Sequence, residues 1–422
     1  MRTTHALLTL LLLGAASTAA AQQTPPPAPT VPDTVRADSA AAADSIAAAQ
    51  MLSGGPGAAA PPAAAEPQAG GGGPSNPRLM PDISAVGDFV GDLSPKGSTQ
   101  PGNTRFGVRE VEIAVQAAVD PYFRGDVFLG ISDAEGISIE QAYLTTTSLP
   151  YGLEARLGRF LMPFGKENTT HRHDLHTIEY PWVIQRFLSD DGAKGTGVWL
   201  SKVLSPLGFY QEIQVTAVDR LGSSADSLVL REPVNRSLGG LGYSARLRNY
   251  FDVSQNANFE ISGSVLTGRL ERAAVDPVPA DPTINAVAVR QTTVGADVTY
   301  RWRPLQQGLY KSLMVQGELM RQMNKDVPEL AVAARSYDGA YLFARWQLAA
   351  RTFLGARGDW VQDPENDGQA LRAGSAYLEF YPSEFSKLSA GYERFAPHGD
   401  TATNRLLVQA TFSLGPHKPH PF

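Results

Sequence analysis

From residue 82 to residue 414 the chain repeats one pattern, in which short stretches alternate apolar and polar side chains. In Glu110-Val111-Glu112-Ile113-Ala114-Val115-Gln116-Ala117 the odd positions are apolar, and in Thr293 to Trp302 the even ones are. The last stretch sets Leu406, Val408, Ala410, Phe412 and Leu414 against Leu407, Gln409, Thr411 and Ser413. A period of two is the mark of a strand with two unlike faces. Sixteen such strands are predicted. The first eight lie near 82–90, 105–119, 122–131, 137–147, 153–161, 195–204, 209–219 and 237–248. The second eight lie near 257–267, 291–302, 311–322, 337–348, 352–361, 371–381, 387–395 and 405–414. Lengths of about ten residues suit a tilted strand crossing a bilayer.

The connections alternate as well. Asp120-Pro121, 148–152, 205–208, 349–351 and 382–386 are short, whereas 91–104, 162–194, 220–236, 268–290, 323–336 and 396–404 are long. Short turns at one end and long loops at the other, with an even strand count, are the outer-membrane barrel pattern. Trp302, Trp346, Trp360, Tyr300, Tyr210 and Tyr381 fall at or near strand ends, where interfacial aromatic girdles belong. A propeller would repeat every 40–50 residues, and no such repeat is present. A 22-stranded receptor would need more strands and a folded plug. The expected fold is therefore all-β: a 16-stranded antiparallel transmembrane β-barrel over 79–422, preceded by a disordered N-terminal tail. It belongs in a cell outer membrane with both termini periplasmic, in contact with outer-membrane lipid and the barrel-assembly machinery.

The N-terminus agrees. Arg2, the apolar run Ala6 to Leu13 and Ala19-Ala20-Ala21 read as a signal peptide over 1–21, too short to span a membrane as a helix. Residues 22–78 are Ala, Pro and Gly with few charges, which cannot bury enough to offset ordering, so a periplasmic spacer is expected. The absence of Cys excludes disulfides and thiolate chemistry. A net charge of −6 without basic clustering excludes a nucleic-acid partner. At the other end Pro416, Pro419 and Pro421 keep the terminal Phe422 out of a paired strand.

Parity assigns a lumen. With Val111, Ile113, Leu153, Leu157, Val294, Val298, Leu342, Trp346, Leu354 and Leu378 facing lipid, the inward residues include Glu112, Arg156, Asp297, Arg301, Arg345, Arg357, Asp359 and Glu379. A mid-bilayer Arg or Lys facing lipid costs ~2–4 kcal/mol, which is why the charges belong inside. The lumen is of mixed sign, and both a structural ladder of ion pairs and a selectivity filter fit it. In the longest loop, 162–194, His171, His173 and His176 fall within six residues. Imidazoles so close together are candidate zinc, copper or nickel ligands, with Asp174 or Glu179 completing a site.

The opening segments carry a family likeness. Pro81 to Phe89, Arg109 to Ile113, Val119-Asp120-Pro121-Tyr122-Phe123, Glu140 to Leu144 and Leu157-Gly158-Arg159-Phe160 with Phe164-Gly165 resemble the phosphate-selective porin O and P family. The likeness covers about residues 80–205 well and the rest as a pattern. It implies a porin for passive diffusion of small hydrophilic solutes, anions and phosphate among them, and by analogy a homotrimer. It also implies that the third outward loop folds inward and narrows the lumen. Lys166, His171, Arg172, His173, His176 and Arg186 are then its candidate residues. The alternative is a receptor-like barrel binding a metal or ligand through the histidine loop. No Gly-x-Ser-x-Gly, His-Glu-x-x-His or phosphate-binding glycine loop is present, so neither enzyme activity nor a cofactor is expected.

Overall fold

A computed structural model describes residues 80–100, 103–133, 136–204, 207–219, 238–273, 286–325, 334–364, 368–397 and 401–415. The expected signal peptide, the 22–78 tail and the proline-rich end from 416 lie outside these residues.

Sixteen strands run in chain order: β1 (Asp82–Asp92), β2 (Phe106–Ala118), β3 (Phe123–Ser132), β4 (Gly136–Thr146), β5 (Leu153–Leu161), β6 (Lys194–Leu204), β7 (Tyr210–Val218) and β8 (Gly242–Ser254). There follow β9 (Ala257–Ala273), β10 (Ala286–Trp302), β11 (Leu313–Asn324), β12 (Arg335–Ala349), β13 (Thr352–Asp363), β14 (Gln369–Ser383), β15 (Ser386–Pro397) and β16 (Thr403–Leu414). Each pairs antiparallel with its neighbours, and β1 pairs with β16 from Ala85↔Leu414 to Asp92↔Leu407. The sheet is thus a closed barrel with no free edge.

All sixteen expected strands are found. Three differ in extent by more than two residues at an end. The eighth begins at Gly242 rather than 237, because Leu238–Gly240 form a short 3-10 turn, and it runs on to a tight turn at Gln255-Asn256. β9 and β10 are each 17 residues long and pair as far out as Ala286↔Ala273. Beyond the apolar band charges no longer cost much, so alternation stops marking a strand that its ladder still continues.

The outer face is apolar. Leu342, Trp346, Leu354, Leu378, Phe380, Leu388, Leu406 and Phe412 all stand exposed on it. Tyr381, expected in an interfacial girdle, instead points inward and is buried, its hydroxyl donating to Glu379 Oε2 at 2.8 Å. The connection 162–193 also turns inward. It carries a short helix, α1 (Trp182–Phe187), that packs on β12 and β13, on the far side of the barrel from its origin at β5. Phe164, Leu175, Ile178, Tyr180, Val183, Ile184 and Phe187 are buried there against Tyr337, Tyr341, Phe343, Val361 and Tyr377 of the inner wall. This is an apolar core inside the lumen.

Candidate functional site: the internal loop and the passage beside it

The loop crosses the lumen because both walls bind it. It leaves β5 through Gly165, whose φ of +61° favours glycine and where a Cβ would press on the Glu318 carboxylate. The Gly165 N–H donates to Ser264 Oγ at 3.1 Å and the Glu167 N–H to Glu318 Oε1 at 2.8 Å. Lys166 Nζ reaches Glu260 Oε2 on β9 at 3.1 Å. On the other side Lys387 of β15 donates to the carbonyls of His173 and Leu175 at 2.7 and 2.9 Å. Arg357 donates to the Glu179 carbonyl at 2.8 Å, and Asp359 accepts the Trp182 N–H at 3.0 Å. Backbone groups that a loop would ordinarily leave to water are thus satisfied by charged wall residues.

Glu179 is the centre of this anchorage. Its carboxylate meets Arg172 of the loop, Arg109 of β2 at 3.5 Å and Arg405 of β16 at 3.8 Å. Burial opposes its charge, but the guanidiniums of Arg172, Arg109 and Arg405 outweigh burial and hold its pKa down to about 2.

The sequence-derived lumen residues separate into two groups. Arg345, Arg357, Asp359 and Glu379 point inward but lie sealed beneath the loop. Arg345 forks onto Glu379 at 2.7 and 3.0 Å, and Arg357 pairs with Asp359 at 2.7 Å. Asp297 is buried beside Arg246 at 3.3 Å. Glu112 and Arg156 border open space instead, as does Lys166 of the loop. Arg156 is about one-third exposed, pairs with Glu154 at 3.1 Å and lies over Trp199 with 4.3 Å between guanidinium and ring. Arg301, also one-third exposed, faces Glu260 at 3.6 Å. Arg186 lies 3.4 Å from Asp363 at the end of β13 and over the Trp182 ring.

The three histidines do not meet. His171 Nδ1 lies 2.6 Å from Glu112 Oε2, and its Nε2 lies 2.7 Å from Gln141. Burial opposes a charge on His171, but the hydrogen bond and charge of Glu112 prevail and raise its pKa. His173 is close by, with 5.5 Å between ring centres. His176 lies elsewhere, 3.8 Å from Glu379. Of the expected trio the structure brings His171 and His173 together, with Glu112 rather than His176 beside them. A loop that curls around Lys387 carries positions three apart to different walls.

Open space remains beside β1 to β8. Towards the short turns lies a cavity of about 740 Å³, bordered by five carboxylates, Glu112, Asp126, Glu154, Asp174 and Glu212, and five bases, Arg124, Arg156, Lys166, Arg246 and Arg248. Towards the long loops lies another of about 390 Å³. A narrow space of about 20 Å³ shares Glu110, Glu140, Arg172 and Asp191 with the outer cavity, and Glu112, Gln141 and His171 with the inner one.

Two β-bulges line this neck. The β1–β2 register shifts at Asp88/Phe89, where Asp88 opposes Glu110 and Phe89 opposes Val108. Arg109 is the extra residue, and it turns inward to Asp88 and to the Ile178 carbonyl at 2.8 Å. The β3–β4 register shifts at Phe128/Leu129, opposite Gln141 and Ile139. Glu140 is extra there, and it pairs inward with Lys194. Each bulge thus points two consecutive side chains into the lumen, which strict alternation forbids. Parity alone could have found Arg246, Arg248, Glu260, Lys387 and Arg405, but not Arg109 and Glu140.

No protein-family model matches the chain. A curated relative, an uncharacterised protein of Aquifex aeolicus, is 27% identical over 347 residues, 75% of this chain and 70% of that one. Among solved structures, a loop-L8 deletion form of OmpT, an outer membrane protein of Vibrio cholerae, superposes with a TM-score of 0.55 and 13% identity. It covers 80% of this chain and all of that one. The outer membrane channel DcaP of Acinetobacter baumannii gives a TM-score of 0.51 at 11% identity, over 80% of this chain and 97% of that one. In vitro-folded OmpT of V. cholerae in trimer form gives 0.52 at 12% identity, over 79% and 99%. At such identities the likeness is one of fold. The chain shares with these outer-membrane proteins the fold of a closed antiparallel barrel.

Proposed function

We propose that this protein is an outer-membrane porin through which small hydrophilic solutes diffuse passively, and that residues 162–193 constrict its lumen. One observation supports this: the loop is fixed to the β9–β16 wall, while two cavities, with a narrow space between them that shares lining residues with each, lie along β1 to β8. Sixteen-stranded barrels are wide enough to leave an aqueous channel. The termini are assigned to the periplasmic end and assembly to a homotrimer, the latter supported by the trimeric form of OmpT.

Ion preference follows from the neck. Lys194 is committed to Glu140, and Arg172 to Glu179 and Asp191. Glu110 and Glu112 remain, the latter shared with His171. This supports a weak preference for cations, against the anion and phosphate preference that the family likeness implies. The reversal potential of the full chain in a planar bilayer under a KCl gradient tests both. A stable channel with modest cation selectivity is expected. Anion selectivity would restore the phosphate-type preference, and an inserted barrel without conductance would overturn the channel itself.

A further inference from the structure

The cluster at the inner end of the neck has a use that passive diffusion does not require. Glu112, His171 and His173 each offer one ligand atom, and the three atoms lie within 4.8 Å of one another. Glu112 and His173 are almost wholly buried, at 3% and 2% exposure, so their positions are set by packing rather than by solvent. Lys387 fixes the backbone at His173, and Gln141 holds the far edge of the His171 ring. Such supporting contacts orient metal ligands in known sites. All three ligands, with Asp174, border the 740 Å³ cavity, which gives an ion an entry path and a water or carboxylate for its remaining position. Asp174 Oδ1 lies 3.7 Å from His173 Nε2.

We propose that Glu112, His171 and His173, completed by Asp174 or water, form a site for a divalent transition ion of the zinc class, and that its occupation obstructs conduction. Two imidazoles and a carboxylate suit zinc, nickel or copper rather than magnesium or calcium, which favour all-oxygen sets. The ion replaces the proton shared by His171 and Glu112, which leaves to cavity water, and draws together atoms now at most 4.8 Å apart. Glu112 and His171 also border the 20 Å³ neck, so a bound ion stands in the narrowest part of the passage and adds positive charge to it. The obstruction, though not the site, rests on the channel function.

The test is calorimetric titration of the purified, chelator-treated full chain in detergent with ZnCl2 and, separately, MgCl2. The same additions are then made to single channels in a bilayer. One zinc per barrel is expected, with no comparable magnesium binding. His173→Ala and Glu112→Gln should each weaken zinc binding by at least the ~10–100-fold that loss of a mere supporting contact costs, and His176→Ala should leave it unchanged. Heat-modifiable gel mobility checks that each variant is folded. Zinc affinity unaltered in folded H171A/H173A protein, or magnesium binding equal to zinc, would overturn the site. Zinc bound without a fall in conductance would overturn the obstruction alone. A zinc-free barrel that never conducts would overturn the channel while leaving the site to be judged by the titration.

Discussion

The two sectors of the inner wall follow the same alternation and end differently. Along β12 to β14 the inward residues are covered: aromatic side chains such as Tyr341 and Phe343 pack on the loop, and Arg345–Glu379 and Arg357–Asp359 are sealed with them. From β2 to β8 charged inward residues such as Glu112, Arg156 and Arg248, with the aromatics Phe128, Tyr143 and Trp199 among them, border open cavities. The difference turns on which wall the loop covers. The aromatic side chains of β12 to β14 bury the loop's apolar face, and open space is left on the side it does not cover.

Replacing residues 166–190 by a short Gly-Ser link would break the contrast most completely. Single-channel conductance should rise several-fold, since nothing then separates the sectors; unchanged conductance would mean that the loop does not set the passage. Next in size is Glu179→Gln, which leaves Arg109, Arg172 and Arg405 without their shared carboxylate. Removing one partner of such a buried network costs about 3–5 kcal/mol. The loop should loosen, read as flickering conductance and new proteolytic cleavage near Arg172. Acid should act similarly. The folded pKa of about 2 lies below the ordinary 4.5, so this anchorage is complete above about pH 4.5 and is lost as pH falls through about 2. Cleavage that sets in at pH 6 would point to another group.

Gly130→Ala sharpens the comparison on the open side. A Cβ there would lie 2.7 Å from Glu110 Oε1 and 3.0 Å from Glu140 Cγ, so the neck should narrow and conductance fall by a fraction. Gly374→Ala, which meets nothing within 4 Å, is the control and should conduct normally. Smallest of all is Arg156→Ala. Its partly exposed pair with Glu154 is worth ~0–1 kcal/mol, so urea unfolding in vesicles should scarcely move.

The barrel was legible because lipid enforces a simple rule on every strand: a residue is either tolerated by hydrocarbon or turned inward. Leu354, Arg357 and Leu378 obey it, and their faces could be assigned from sequence. Loop lengths likewise gave the alternation of ends. What sequence did not supply depends on contacts between distant segments. That Arg345 is sealed and Arg156 open follows from where α1 lands, on strands some 150 residues further along the chain. The pairing of His171 with Glu112 rather than His176 depends on how the loop curls. Arg109 and Glu140 escaped because one extra residue in a strand changes neither its composition nor its apolar count.

Those two bulges bear on how such a chain can vary over descent. Gaining or losing one residue within a strand normally turns every later side chain to the opposite face, which a lipid-facing wall does not survive. At Arg109 and Glu140 the additional residue is already accommodated, with correct pairing on both sides of it. Deleting Arg109 would return β2 to regular alternation and remove one guanidinium from the loop's anchorage, with the strand number and the outer face preserved. The same holds for Glu140 and the charge of the neck. Insertions and deletions, ordinarily the most damaging changes to a membrane barrel, are at these two places a means of changing the charge and width of its interior.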